Sequence, residues 1–201
     1  EEFGGLLGPG WLLEKGLTKP DLMIAAGFSY EVVTAHNGCL QMEVTVHGKM
    51  AHAAVPHTGV DALQGAVAIM NALYLENRRY QGITSRVPGI QHPYLNIGRI
   101  EGGTNTNVVP GKVSFKLDRR MIPEENPADV EALIRQVIAD AAEGFNAGRN
   151  DKGVHVNIKR LLLAHAMTPL PGNAPLVEAI QKHGEAVFGD KPPAVGTPLY
   201  T

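Results

Sequence analysis

The chain has a single cysteine, Cys39, among 201 residues. That excludes an internal disulfide and any zinc site built from several thiolates, and a reducing, cytoplasmic setting is expected. An excess of one charge is missing too. Eighteen Lys and Arg against twenty Asp and Glu leave a formal net charge of −2, which gathers neither nucleic acid nor anionic lipid. The strand-like segments lack the paired aromatic rings on which bases stack, so RNA binding on a sheet is a poor reading. No apolar run approaches the roughly 20 residues that span a bilayer, so no membrane partner is expected. Gly-x-Ser-x-Gly, a Gly-rich phosphate loop and a His-x-x-x-His pair are all absent, and with them the usual serine-nucleophile, nucleotide and local zinc motifs. Hydrophobic (44%) and charged (19%) fractions are those of an ordinary globular protein. The start, EEFGG, has no basic n-region, and the end, GTPLYT, stops without a closing helix. The chain is expected to be a piece of a longer one.

What is present is a clear alternation of periods. Residues 39–47, CLQMEVTVH, place Leu40, Met42, Val44 and Val46 on one face, as in a half-buried strand. From Val60 to about Tyr74, Leu63, Val67, Met70 and Tyr74 recur at helical spacing, with Thr58 and Gly59 as cap candidates. Residues 93–101 and 113–120 read as two further strands. Asn126 and Pro127 open a second helix with the stripe Val130, Leu133, Ile134, Val137 and Ala141. A last strand, 153–161, carries Val154, Val156 and Ile158 on one side. The order β-α-β-β-α-β predicts an α/β (α+β) unit: a ferredoxin-like antiparallel sheet with both helices on one face.

The flanks do not fit that unit. Residues 6–16 suggest a short helix, DLMIAA (21–26) a buried strand of another sheet, and Asn173 with Pro175 a terminal helix. A compact domain with both ends leading into another is what an insertion looks like. The expected division is 1–37 and 166–201 as parts of one domain, with 38–165 inserted.

Several groups could do chemistry. In an extended segment the neighbours Glu1 and Glu2 point opposite ways, so one could bind metal while the other faces substrate; equally, both could be solvated acids. His52, in GKMAHAAVPHTGVDAL, reads first as a structural histidine and second as a donor to a developing oxyanion. Asn105 and Asn107, in EGGTNTNVVPGKVSF, could bind ligand or cap a hairpin loop. The Arg119-Arg120 pair could form surface ion pairs or grip a carboxylate. Cys39 has no evident activating partner.

Taken together, EEFGG, GKMAHAAVPHTGVDAL and EGGTNTNVVPGKVSFKLDRR resemble the co-catalytic zinc amidohydrolases of the aminoacylase, acetylornithine deacetylase, succinyl-diaminopimelate desuccinylase and glutamate carboxypeptidase family. The resemblance covers essentially the whole chain. It implies that Glu1 is the general base, Glu2 a zinc ligand and His52 an oxyanion donor to the partner subunit's site. Asn107 and Arg120 would hold the substrate carboxylate. It further implies two zinc ions (or cobalt or manganese) in the full-length protein, N-acyl amino acid or small peptide substrates, and a homodimer formed through the lid or dimerisation domain at 38–165. Two departures stand out. Gly27 occupies a position where the family usually has a metal-binding acid, and the remaining histidine and aspartate ligands have no counterpart here. The fragment alone is therefore expected to be inactive and to bind no metal. A rival reading is a non-catalytic βαββαβ module that dimerises or binds a small ligand.

Overall fold

The computed structural model describes residues 6–27, 29–149 and 152–199. In chain order the elements are α1 (Trp11–Glu14), β1 (Val32–His36), β2 (Gly38–His47), β3 (Ala51–His52), α2 (Ala62–Tyr80), β4 (Tyr94–Gly102), β5 (Val108–Val109), β6 (Lys112–Met121), α3 (Pro127–Asn146), β7 (His155–Ala164), α4 (Ala174–Phe188) and β8 (Ala194–Thr197). Four strands form the main sheet in the order β4-β6-β2-β7, every neighbouring pair antiparallel. Each helical crossover links two strands with a third lying between them: α2 joins β2 to β4 around β6, and α3 joins β6 to β7 around β2. The expected β-α-β-β-α-β order and the mixed α/β class are present.

One sheet face is apolar because the strands alternate. Leu40, Met42, Val44 and Val46 of β2 and Phe115 and Leu117 of β6 are buried against Ile69 and Leu73 of α2 and Ile134 and Ile138 of α3. The other face carries Gln41, Glu43, Thr45 and His47 beside Asp118, Lys116, Ser114 and Lys112. Asn126 caps α3 as expected, its Oδ1 accepting from the Ala128 amide at 2.9 Å, and Pro127 takes the first turn.

The structure corrects three expectations. The cap of α2 is Asp61, whose Oδ1 accepts from the Leu63 and Gln64 amides at 2.8 and 3.0 Å. Thr58 instead donates its hydroxyl to the Val55 carbonyl at 2.8 Å within a separate turn. The buried stripe of α2 is Ala62, Gly65, Ala66, Ile69, Leu73, Glu76 and Tyr80, while Leu63, Val67 and Tyr74 stay 42, 43 and 42% exposed. Both stripes have helical spacing, and the one with small residues wins because it approaches its neighbours closely. A Cβ at Gly65 would lie 2.9 Å from Val154 Cγ1. Finally, DLMIAA is not a strand; Met23 and Ile24 are exposed in irregular chain. The second sheet is β1 paired in parallel with β8. It is tied to the loop before β4 by the Gly196 amide, which donates to the Pro88 carbonyl at 2.9 Å.

Candidate functional site

His52 sits on β3, a two-residue strand that pairs with β5 as Ala51 to Val109 and His52 to Val108. The next amide, Ala53, donates to the Asn107 carbonyl at 2.9 Å. The two loops singled out from the sequence are thus stitched together by backbone bonds, and both His52 and Asn107 are exposed. A glycine makes the approach possible: a Cβ at Gly111 would stand 2.6 Å from Met50 Cγ and 3.0 Å from the Met50 amide nitrogen. At the turn into β5, Gly103 takes φ +78°, which favours glycine. Beside this junction lies an open groove of about 510 Å³ lined by Gly48, Met50, Gly102, Gly103, Lys112 and Ser114 among others.

The His52 ring has a defined orientation. The Ala54 amide donates to Nδ1 at 3.1 Å, so Nδ1 must offer its lone pair and the neutral ring carries its proton on Nε2. That leaves an exposed N–H donor at the tip of a strand–turn junction. The turn itself is held by the Val55 amide donating to the His52 carbonyl at 2.9 Å.

Arg120 is not part of this cluster. β2 pairs His47 with Lys112 at one end and Cys39 with Arg120 at the other, about 27 Å away at strand rise. Its guanidinium is engaged by Asp118, with Nε to Oδ1 at 2.8 Å and Nη2 to Oδ2 at 3.3 Å. Gln41 donates to the same carboxylate at 3.0 Å. A substrate carboxylate would have to compete with Asp118 for the fork. Arg119 points the opposite way, as strand alternation requires. It is 1% exposed, pairs with Glu125, and lies 4.0 Å over the Tyr80 ring. Sequence reasoning missed this structural role, although the inward phase of Val113, Phe115 and Leu117 continues to position 119.

Cys39 is buried beside Asp118, Sγ to Oδ2 at 3.5 Å. Burial first, and the Asp118 charge second, push its thiol up to about 11, which removes it as a nucleophile near neutral pH. Glu1 and Glu2 lie outside the described residues. Among the described residues no group of three or more His, Cys, Asp or Glu side chains could hold a metal ion, and Gly27 lies in exposed chain with nothing within 4 Å of a Cβ built there. The described residues therefore do not form a two-metal centre. No described helix is long and apolar enough to cross a membrane.

Comparison with known proteins agrees with this architecture. Residues 34–146 match the model of the peptidase dimerisation domain, M20_dimer. Acetylornithine deacetylase of Edwardsiella ictaluri is 27% identical over 97% of this chain and 49% of its own length. The Myxococcus xanthus acetylornithine deacetylase is 30% identical over 87% of this chain and 48% of its own. The chain thus spans about half the length of the curated relatives it matches. Among solved structures, aminopeptidase PepT of Bacillus cereus superposes with a TM-score of 0.63 at 21% identity, covering 89% of this chain and 43% of that one. The di-peptidase Dug1p of Saccharomyces cerevisiae gives 0.62 at 15% identity, covering 83% and 44%. The chain belongs to the M20 peptidase and amidohydrolase family and contains that family's dimerisation domain.

Proposed function

We propose that this chain is the dimerisation region, with flanking parts, of a metal-dependent amidohydrolase that cleaves the amide bond of N-acyl amino acids or small peptides. The observation that carries the reading is the His52 ring, exposed and held by the Ala54 amide as its Nε2–H tautomer. A fixed, neutral N–H donor is what a developing oxyanion needs opposite the group that polarises the carbonyl. Two zinc ions (or cobalt or manganese), when bound by the full-length protein, would polarise the scissile carbonyl and acidify a water. From this chain, Glu2 would contribute one ligand and Glu1 would take a proton as general base.

Asn107 and Arg120 are proposed to hold the substrate carboxylate. Within one chain, about 27 Å of strand separates the His52 end of the sheet from Arg120, too far for one small substrate to touch both. His52 of one protomer is therefore combined with Arg120 of its partner, which makes a two-fold dimer part of the catalytic unit.

The dimer face is proposed to be α2 with the β4 edge. Leu63, Val67, Met70, Tyr74 and Asn77 recur along one flank of α2, and Asn77 Oδ1 accepts from the Leu95 amide of β4 at 2.8 Å. The exposed apolar stripe thus borders an unpaired sheet edge, and a second copy of this chain covers both in one contact. The full-length enzyme is expected to release free amine from N-acyl amino acids and to lose that activity to a chelator. Activity that survives complete metal removal would refute the reading. A full-length protein that purifies without stoichiometric metal would instead support a silent dimerisation module.

A further inference from the structure

A second pair of histidines stands on the open face of the sheet. β2 and β7 align His47 directly opposite His155, with ring centroids 6.4 Å apart and planes inclined by 33°. One carboxamide lies between them. Asn157, two residues along β7, accepts from His155 Nε2 through Oδ1 at 3.1 Å and donates from Nδ2 to His47 Nε2 at 3.4 Å. An amide has one donor end and one acceptor end, so this arrangement makes His155 the Nε2–H tautomer and leaves the His47 Nε2 lone pair aimed at the same point. Both Nε2 atoms therefore converge on a single small polar group at the surface. His155 and Asn157 are exposed and His47 half-buried.

We propose that His47 and His155 form a cross-strand site for a divalent transition-metal ion such as Zn²⁺ or Ni²⁺, with Asn157 Oδ1 as a third, weaker donor. Two imidazoles on one tetrahedral ion at Zn–N of about 2.0–2.1 Å need ring centroids about 5 Å apart. The observed separation asks for a closing of only about 1 Å, within reach of side-chain rotation on an edge strand. In the neutral ring, His155 moves its proton from Nε2 to Nδ1 on binding, which frees both Nε2 lone pairs for the ion. Imidazole donors suit zinc, nickel and copper, and waters complete the coordination on the solvent side. Lys112, opposite His47 on β6, places a positive charge beside the pair and holds the affinity below that of a carboxylate-assisted site. Binding bridges the central strand β2 to the edge strand β7 and stabilises the fold by linkage. The proposal does not rest on the hydrolase reading.

The test is calorimetric titration of the 201-residue chain with Zn²⁺ and, separately, Ni²⁺, paired with thermal unfolding in each metal. One equivalent is expected to bind and to raise the melting temperature. His47→Gln and His155→Gln are each expected to lose about tenfold or more in affinity, together with the thermal shift. His183→Gln, at an exposed position of α4, should leave both intact. Asn157→Asp should tighten binding by about tenfold by adding a carboxylate ligand. Affinity unchanged in both His47→Gln and His155→Gln, or abolished in His183→Gln, overturns the site.

Discussion

The neighbours Arg119 and Arg120 allow the same substitution to be made on both faces of one strand. Arg119→Met removes a buried guanidinium from its ion pair with Glu125 and from the Tyr80 ring. Glu125 is left with the Ile122 amide, which donates to Oε2 at 2.9 Å. Breaking a buried pair costs about 3–5 kcal/mol. Because Glu125 retains 16% side-chain exposure, it can draw in water, and the lower figure of about 3 kcal/mol applies. In a chain of this size that is a fall of roughly 6–12 °C in melting temperature. Arg120→Met removes only a half-exposed pair with Asp118 and should cost less than about 1 kcal/mol. The double variant Arg119→Met/Glu125→Gln keeps an acceptor for the Ile122 amide and discharges the orphaned carboxylate. It should recover about 2 kcal/mol of the loss, a coupling of the size that contacting residues show. Urea unfolding followed by circular dichroism measures all of these. Equal costs for the two arginines, or a double variant no more stable than Arg119→Met alone, would refute the assignment of Arg119 to the core and Arg120 to the open face.

Three further outcomes follow from the same geometry. Cys39, buried and with its thiol raised to about 11, should resist a disulfide reagent at about pH 8 while folded and react on unfolding, since below the raised value the thiolate is scarce; rapid native reaction contradicts this. Glu131 accepts from Arg135 on its own helix and from Arg160 on β7, both at 2.9 Å. Burial acts to raise its pKa, but these two arginines outweigh it and the net direction is down. A carboxyl depressed in the folded state contributes stability above the ordinary range of about 4.3 and loses it as pH falls through the lower folded value. Wild type should therefore lose more stability than Glu131→Gln as pH falls from about 6 to about 3, and parallel pH–stability curves would refute the pairing. Val67→Glu, on the exposed stripe of α2, should convert a dimer to monomer in sedimentation with less than about 0.5 kcal/mol lost from the fold; an unchanged dimer moves the interface elsewhere.

The main sheet was legible because its signals are local. Residues 39–47 and 113–120 alternate, and Asn126-Pro127 marks a helix start within two residues. The strands at Val32–His36 and Ala194–Thr197 were not legible, since a parallel pair separated by most of the chain has no turn or spacing to announce it. DLMIAA has the hydropathy of a buried strand, yet nothing among the described residues covers it, and Leu22, Met23 and Ile24 stay exposed. On α2, counting large apolar side chains selected the outer stripe, because the inner one begins with Ala62, Gly65 and Ala66, whose virtue is closeness rather than area, before Ile69 and Leu73 continue it. At the candidate site, the motifs pointed to His52 and Asn107, but not to the backbone bonds that join their loops. Only the register of β3 with β5 supplies those. The distance of Arg120 from His52 was equally hidden, since it depends on which ends of β2 and β6 meet.

Complementation between subunits of the full-length protein tests the central claim most directly. Homodimers of His52→Ala and of Glu1→Gln, in this numbering, should each be nearly inactive. After dissociation and random reassociation, half of the dimers carry one intact site of two, so activity should return to about a quarter of wild type. A mixture that stays at the level of its parents would contradict the delivery of His52 to the partner's site.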